Sequence, residues 1–213
     1  MKVIILAGGL GSRLSLETEK IPKPMVEIGS MPILVHIMKI YSHFGYTEFI
    51  LALGYKAEII KNYFSSYQTN EDWKIDCVDT GLNTQTGGRI KRAMEFVGNH
   101  RVMVTYGDGL ANIDISKLMY FHKKHKKLAT VTAVRPPARF GRLDLDGDMV
   151  IHFAEKPQSA EGWINGGFFV LEPEVKDYIA GDEMPFENLP LRNLVNDKQL
   201  VAYKHKRFWK PMD

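Results

Sequence analysis

The amino-acid sequence predicts an α/β protein in which a mostly parallel sheet is covered by helices on both faces. A continuous apolar run at residues 3–6 ends abruptly at a glycine pair and has the composition of a strand buried on both faces. Residues 32–44 then carry apolar side chains at helical spacing, and a second buried strand is predicted at 49–53. Because strands and helices keep alternating as far as residue 106, the strands are expected to be parallel and joined by right-handed crossovers.

The remaining elements follow from the same patterns until the alternation changes near residue 128. Further helices are predicted at 56–64, 88–96 and 115–122, and further strands at 75–78 and 102–106. Beyond residue 128, shorter apolar segments separated by Gly, Pro and Asp turns predict a mixed sheet, with strands at 130–134, 143–145, 150–153 and 166–170. One domain, 1–213, is expected, because single cores stop growing only above roughly 250 residues.

The composition is that of an ordinary soluble globular protein, with 45% hydrophobic and 25% charged residues. The 28 Lys and Arg residues against 25 Asp and Glu give a net charge of +3, which is too small to require a nucleic-acid partner. The single cysteine, Cys77, cannot form an internal disulfide, and the first apolar run is far shorter than a membrane span of about 20 residues. We therefore expect a cytoplasmic protein with no nucleic-acid or membrane partner.

A glycine-rich turn follows the first predicted strand, at residues 6–14 (LAGGLGSRL). Glycine allows backbone N–H groups to approach phosphate oxygens closely. The turn is neither a dinucleotide fingerprint nor a P-loop, because it lacks the third glycine of the first and the Gly-Lys-Ser/Thr of the second. Arg13 lies inside it, and Lys23 follows in a rigid segment between two prolines, so two cations are directed at one loop. The alternative is a plain tight turn with two surface cations.

An acidic residue flanked by glycines, Asp108, follows the predicted strand at 102–106. In parallel sheets, ligands bind at the carboxyl ends of the strands. Mg²⁺ prefers carboxylate oxygens and takes only one or two of them from the protein. Asp108 is therefore a candidate metal ligand, and the alternative is an ordinary Asp-Gly turn.

Together these motifs resemble the sugar-1-phosphate nucleotidyltransferase family, whose signature is a glycine-rich loop with arginine followed by Pro-Lys-Pro. The resemblance implies a single-domain, Rossmann-like three-layer sandwich of the nucleotide-diphospho-sugar transferase type. It divides the chain into a nucleotide-binding half, 1–110, and a sugar-phosphate-binding half, 111–213. The implied reaction is Mg²⁺-dependent attack of a sugar 1-phosphate on the α-phosphorus of a nucleoside triphosphate, with loss of pyrophosphate. Small-molecule substrates and a homo-oligomer are expected.

The resemblance also assigns roles to residues of this chain. Arg13 and Lys23 are expected to be catalytic, and Asp108 and Asp213 to hold the metal ion. The expected nucleotide-binding residues are Leu6, Ala7, Gly8, Gly9, Gly11, Ser12, Thr86, Gly88, Arg89 and Gly107. The expected sugar-phosphate-binding residues are Tyr106, Glu155, Lys156, Asn165, Gly166 and Gly167. For Glu155 an exposed salt bridge is the alternative.

The segment 84–92 (TQTGGRIKR) stands where the family reads its base. With the segments 24–28 (PMVEI) and 209–213 (WKPMD), it resembles the branch that uses CTP and glucose 1-phosphate. Arg89 is the candidate base reader, because arginine can donate to cytosine O2 or N3, whereas N3–H of uracil or thymine is itself a donor. An arginine that only caps or solvates a helix end is the alternative. Use of UTP or dTTP, an acceptor other than glucose, and a catalytically silent nucleotide-binding subunit also remain open.

Overall fold

The structure, a computed structural model, describes residues 1–11, 20–67, 71–136, 142–154 and 162–212. Its strands are β1 (Val3–Leu6), β2 (Glu27–Ile28), β3 (Met31–Pro32), β4 (Glu48–Leu53), β5 (Lys74–Asp79), β6 (Val102–Tyr106), β7 (Gly109–Ala111), β8 (Ala129–Val134), β9 (Arg142–Asp146), β10 (Met149–Ala154), β11 (Ile164–Leu171), β12 (Leu200–His205) and β13 (Trp209–Pro211). Its α-helices are α1 (Ile33–Ser42), α2 (Ala57–Ser66), α3 (Thr86–Glu95), α4 (Ile115–His125) and α5 (Leu189–Asn196). Short 3₁₀ helices span Lys23–Met25 and Pro173–Tyr178.

The central sheet has seven strands in the order β12-β8-β11-β6-β1-β4-β5. Its neighbouring strands are parallel, except that β11 runs antiparallel to both β6 and β8. This arrangement confirms the mostly parallel sheet and the mixed character of its second half. The strands predicted at 143–145 and 150–153 lie outside it, because β9 and β10 pair with each other in a separate antiparallel sheet. Leu6 pairs with Ala52 of β4 and with Tyr106 of β6, so the carboxyl ends of these three strands meet at one edge.

The core lies on both faces of this sheet. Successive side chains of a strand point to opposite faces, and in β1 all four residues are buried. Val3 and Ile5 pack in a cluster with buried residues of α1, α2 and α4. Ile4 and Leu6 pack in a second cluster with residues of α3 and α5. Helices therefore cover both faces, which confirms the three-layer prediction.

Element bounds differ from the predictions mainly in the second half. The helix predicted at 88–96 begins two residues earlier, at Thr86, and the one predicted at 115–122 continues to His125. The helix α5, the edge strand β12 and the short antiparallel pair formed by β7 and β13 were not predicted. None of the described helices is long and apolar enough to cross a membrane.

Candidate active site

A cleft of about 520 Å³ opens where β1 and β6 end. Because these strands are neighbours in register, the loops that follow them leave from the same edge of the sheet. The cleft is lined by Leu6, Gly9, Gly11, Lys23, Pro24, Thr84, Gln85, Thr86, Arg89, Tyr106, Gly107, Asp108, Asn165 and Glu187. The glycine-rich turn and the Asp108 loop therefore meet, as their positions after two neighbouring strands predicted.

Most of the described site candidates lie in the wall of this cleft. These are Leu6, Gly9, Gly11, Lys23, Thr86, Arg89, Tyr106, Gly107, Asp108 and Asn165. Four others, Ala7, Gly8, Gly166 and Gly167, are chain neighbours of lining residues or of one another. The candidates Ser12, Arg13, Glu155, Lys156 and Asp213 lie outside the described residues.

Lys23 and Asp108 form an ion pair at the cleft. Lys23 Nζ donates to Asp108 Oδ2 over 2.9 Å. Lys23 is only 6% exposed and begins the 3₁₀ helix Lys23–Met25, next to Pro22 with its fixed extended backbone. A buried ammonium group requires a counterion or an anionic ligand, because desolvation of an isolated charge is costly. The proline-flanked lysine is thus held beside the carboxylate predicted to bind the metal ion.

The backbone of Asp108 is fixed from the C-terminal part of the chain. β13 pairs antiparallel with β7, and the Met212 backbone N–H then donates to the Asp108 carbonyl oxygen over 2.8 Å. The Asp108 side chain is 31% exposed, so its carboxylate is accessible from the cleft. A single accessible carboxylate of this kind fits Mg²⁺, which completes its coordination with phosphate oxygens and water.

Arg89 has a structural task that the sequence analysis did not predict. The residue is 4% exposed, and its guanidinium is used by the protein itself. Its hydrogen-bond acceptors are Leu53 O at 2.9 Å, Thr80 Oγ1 at 2.7 Å, Gly81 O at 2.8 Å and Leu82 O at 3.1 Å. Burial lowers the pKa of the guanidinium, and the charge of Asp79 acts in the opposite direction. A direct contact with a nucleotide base would draw on donors that already hold these loops.

The position of the Arg89 guanidinium explains why residues 8 and 54 are glycines. A Cβ atom at Gly8 or at Gly54 would approach Arg89 Nη1 closer than 3.0 Å. The glycine at position 8 is therefore required for the close approach of the arginine, whatever its contacts with phosphate. Arg89 packs against the glycine-rich turn after β1 and joins the end of β4 to the loop after β5 by hydrogen bonds.

The glycine pair of α3 admits another chain segment. A Cβ atom at Gly87 would approach Met184 O closer than 3.0 Å, and one at Gly88 would approach Asp182 Cα equally closely. Residues 182–186 therefore cross the first turn of this helix at backbone contact. Gly88, which was predicted to bind the nucleotide, faces this segment and lies outside the cleft wall. The glycine pair cannot be distinguished from a phosphate-binding turn by sequence alone, because both need a small residue.

Gly166 and Gly167 follow Asn165, which lines the cleft. The Gly166 carbonyl accepts a hydrogen bond of 2.8 Å from Trp209 Nε1, and a Cβ atom there would meet Val134 Cγ1 at 2.7 Å. Gly167 has φ +79°, and an added Cβ would meet the ring of Tyr106 at 2.5 Å. Both glycines were predicted to bind the sugar phosphate, and packing requires them as well, Gly166 against Val134 and Gly167 against Tyr106.

Glu187 lines the cleft and was not among the candidates. Its carboxylate accepts hydrogen bonds from Tyr106 OH at 2.5 Å and from Thr86 Oγ1 at 2.6 Å. The Tyr106 oxygen accepts in turn from Asn165 Nδ2 at 3.0 Å, and Asn165 Oδ1 accepts from Gly167 N at 2.8 Å. Burial first, and then the charge of Glu187, raises the pKa of Tyr106 far above its usual value. No motif marks Glu187 in the sequence, because only the crossing of residues 182–187 over α3 brings it here.

Comparison with known proteins agrees with this geometry. The sequence model of the family described as nucleotidyl transferase matches residues 2–210. The chain belongs to the nucleotidyl transferase family. This nucleotidyl transferase is 47% identical over 234 residues to the glucose-1-phosphate cytidylyltransferase of Salmonella typhi, an alignment that covers 100% of this chain and 91% of the relative. The predicted family resemblance is confirmed.

Solved structures support the fold of this nucleotidyl transferase. HddC from Yersinia pseudotuberculosis, complexed with GMP-PN, is 29% identical, with a TM-score of 0.70 over 99% of this chain and 92% of that one. A UDP-glucose pyrophosphorylase complexed with UDP-glucose has a TM-score of 0.75 at 17% identity, covering 98% of this chain and 91% of the other. The second similarity concerns the fold alone. The Rossmann-like α/β class predicted from the sequence is thus confirmed.

Proposed function

We propose that this chain transfers the cytidylyl group of CTP to glucose 1-phosphate, giving CDP-glucose and pyrophosphate. The observation that carries the proposal is the Lys23–Asp108 pair, 2.9 Å apart, at a cleft bordered by the glycine-rich turn on one side and Asn165 on the other. A buried cation beside an accessible carboxylate suits a triphosphate with its metal ion. The choice of CTP and glucose rests on the Salmonella typhi relative, whose length this chain covers to 91%.

The reaction needs no protein nucleophile. An oxygen of the acceptor phosphate forms a bond to the α-phosphorus of CTP while the bond from that phosphorus to the pyrophosphate oxygen breaks. Negative charge builds up on the equatorial and leaving oxygens, so fixed cations and backbone N–H groups near them supply most of the catalysis. Lys23 provides one such cation, and we expect Arg13 to provide a second from the turn.

The metal ion is proposed to be Mg²⁺. Asp108 would hold it, and Asp213 is the second expected ligand. When bound, Mg²⁺ neutralises charge on the phosphate oxygens. In the sugar half we expect Lys156 to bind the acceptor phosphate, and Glu155 and Asn165 to bind sugar hydroxyls, because a lysine is a point donor for phosphate, a carboxylate accepts from hydroxyls and an amide N–H donates to their oxygens.

The proposal is tested by pyrophosphate release from each of the four nucleoside triphosphates with a panel of sugar 1-phosphates. The highest kcat/KM is expected for CTP with glucose 1-phosphate. A preference for UTP or dTTP, or for another sugar, would replace the proposed substrates with those found. Absence of pyrophosphate release from every combination would support the silent nucleotide-binding alternative.

We further propose that the enzyme is cytoplasmic, as its cysteine content and short first apolar run predicted, and that it is a homo-oligomer. Light scattering on the eluted peak of a size-exclusion column gives the particle mass. A particle with the mass of one chain at micromolar concentration would contradict the oligomer.

Arg89→Ala distinguishes direct base reading from the structural task seen in the cleft. Since four acceptors lose a charged donor, the end of β4 and the loop around Gly81 are expected to lose their fixed positions. We expect kcat/KM to fall by about 10-fold or more for CTP and UTP alike, because each hydrogen bond to a charged group contributes about 1.5–3 kcal/mol. The measurement is kcat/KM for both nucleotides in both proteins, with thermal melting alongside.

The matched control is Arg192→Ala, which removes an exposed arginine of α5. It should leave both nucleotides unaffected. If instead the CTP/UTP ratio collapses in Arg89→Ala through loss of the CTP rate alone, Arg89 reads the base directly.

A further inference from the structure

The segment that carries Glu187 is fixed to the first turn of α3. Its hydrogen bonds to that turn are Gln85 N to Asp182 O at 2.7 Å, Gly87 N to Met184 O at 3.0 Å and Phe186 N to Thr86 Oγ1 at 2.8 Å. Phe186 is fully buried between these bonds and the core. Glu187 therefore enters the cleft from a rigid support, although its own side chain is accessible.

The two donors to Glu187 have defined directions. The Thr86 oxygen already accepts from Phe186 N, and its single proton is donated to Glu187 Oε2. Tyr106 also has a single proton, which it donates to Glu187 Oε1. In a pair of a phenol and a carboxylate the phenol is the donor, so Tyr106 directs its proton to Glu187. Glu187 thus joins a helix of the nucleotide-binding half to the end of β6.

Tyr106 and Gly167 together fix the orientation of the Asn165 amide. Because the phenol donates its single proton to the Glu187 carboxylate, its oxygen can only accept toward Asn165. It therefore pairs with the Asn165 amide nitrogen. The other end of the amide, Oδ1, accepts from Gly167 N. Within the described part of the chain, the second N–H of Asn165 meets no acceptor, and Asn165 lines the cleft. A phenol released from Glu187 can turn its proton toward the Asn165 amide nitrogen, which then loses its acceptor, so that Gly167 N alone holds the amide.

We propose that Glu187 is a positioning residue for the acceptor sugar, which acts through Tyr106 to hold the Asn165 amide with an N–H available to a sugar oxygen. This inference rests on the proposed function. It assigns to Glu187 a role in recognising the acceptor rather than the nucleotide. Tyr106, predicted to bind the sugar phosphate, is the link between Glu187 and Asn165.

The test is a double-mutant cycle with Glu187→Gln and Tyr106→Phe. A glutamine side chain presents only one acceptor oxygen, so one of the two hydroxyl protons loses its partner. Each single variant is expected to raise KM for glucose 1-phosphate about 10-fold, because the sugar loses one well-oriented hydrogen bond, and to leave KM for CTP unchanged. A melting curve of each variant measures what the broken bond contributes to stability. The double variant should be no worse than either single one, because both changes break the same link.

The matched control is Glu183→Gln, which changes an exposed carboxylate earlier in the same segment and should have no effect. Tyr106→Phe leaves the Glu187 segment intact, so it keeps the inference testable if Glu187→Gln folds poorly. An unchanged KM for glucose 1-phosphate in both single variants, additive effects in the double variant, or an equal rise in KM for CTP would overturn the inference while the wild-type enzyme remains active. A wild-type protein without activity on any sugar 1-phosphate would contradict the proposed function, and this inference with it.

Discussion

Asp108→Asn is expected to lower kcat/KM for CTP and glucose 1-phosphate by on the order of 10³-fold, because a metal-supported site loses the charge that holds its cation. Asparagine has nearly the same shape, and its amide oxygen can still accept from Lys23 Nζ. The hydrogen bond from Met212 N uses the backbone carbonyl of residue 108 and is unaffected. Binding of free CTP should persist in part, since the contacts of the glycine-rich turn remain. Steady-state kinetics across a Mg²⁺ titration and calorimetric CTP binding check both expectations.

The control for this variant is Asp148→Asn, which removes an exposed carboxylate in the turn between β9 and β10. It should be indistinguishable from wild type. If excess Mg²⁺ or Mn²⁺ gives Asp108→Asn full activity, Asp108 is not a principal ligand of the metal ion.

Lys23→Met is expected to lower kcat/KM on the order of 10²-fold, since a fixed cation near developing phosphate charge contributes about 3 kcal/mol to transition-state stabilisation. Methionine fills most of the buried volume of the lysine stem, so no large cavity is left. The carboxylate of Asp108 loses its partner but is 31% exposed and can be hydrated, so only a small loss of thermal stability is expected. Measurements of kcat, KM and melting temperature separate these effects.

Lys20→Met is the matched control, because Lys20 is exposed and lies three residues earlier. A Lys23→Met enzyme with turnover near that of Lys20→Met would remove Lys23 from the phosphate-binding machinery. A rise in KM for CTP without a fall in kcat would mean that Lys23 binds ground state and transition state equally.

Buried parallel strands were predicted most accurately. The bounds of Val3–Leu6 and Val102–Tyr106 agree with the sequence pattern, because strands covered on both faces are largely apolar. The edge strand Leu200–His205 has only a partly buried face, and its pattern is too weak to identify. The pair Gly109–Ala111 and Trp209–Pro211 depends on contacts between distant parts of the chain, which local periodicity does not report.

The residues of the site divide in the same way, into those with a local sequence signal and those placed by contacts between distant parts of the chain. Lys23 and Asp108 were predicted because charged residues beside proline and glycine, directly after buried strands, carry a local signal. The partners of Arg89 are mostly backbone carbonyls, which every residue possesses and which leave no trace in the sequence. Glu187 reaches the cleft only after residues 182–187 cross α3, so its place depends on tertiary structure.

The position of β11 in the sheet has a consequence for how the chain acquires its structure. β6, which ends at the active site, pairs with β1 on one side and with β11 on the other. β11 is synthesised long after β6. When the first half of the chain leaves the ribosome, β6 is therefore an unpaired edge strand, although it lies in the centre of the complete sheet. Such topologies have high contact order and fold slowly, and an open edge is prone to aggregation until the late strand is inserted. The two halves are therefore expected to fold as one cooperative unit, and substitutions in β11 to reduce the yield of soluble protein even where they touch no substrate.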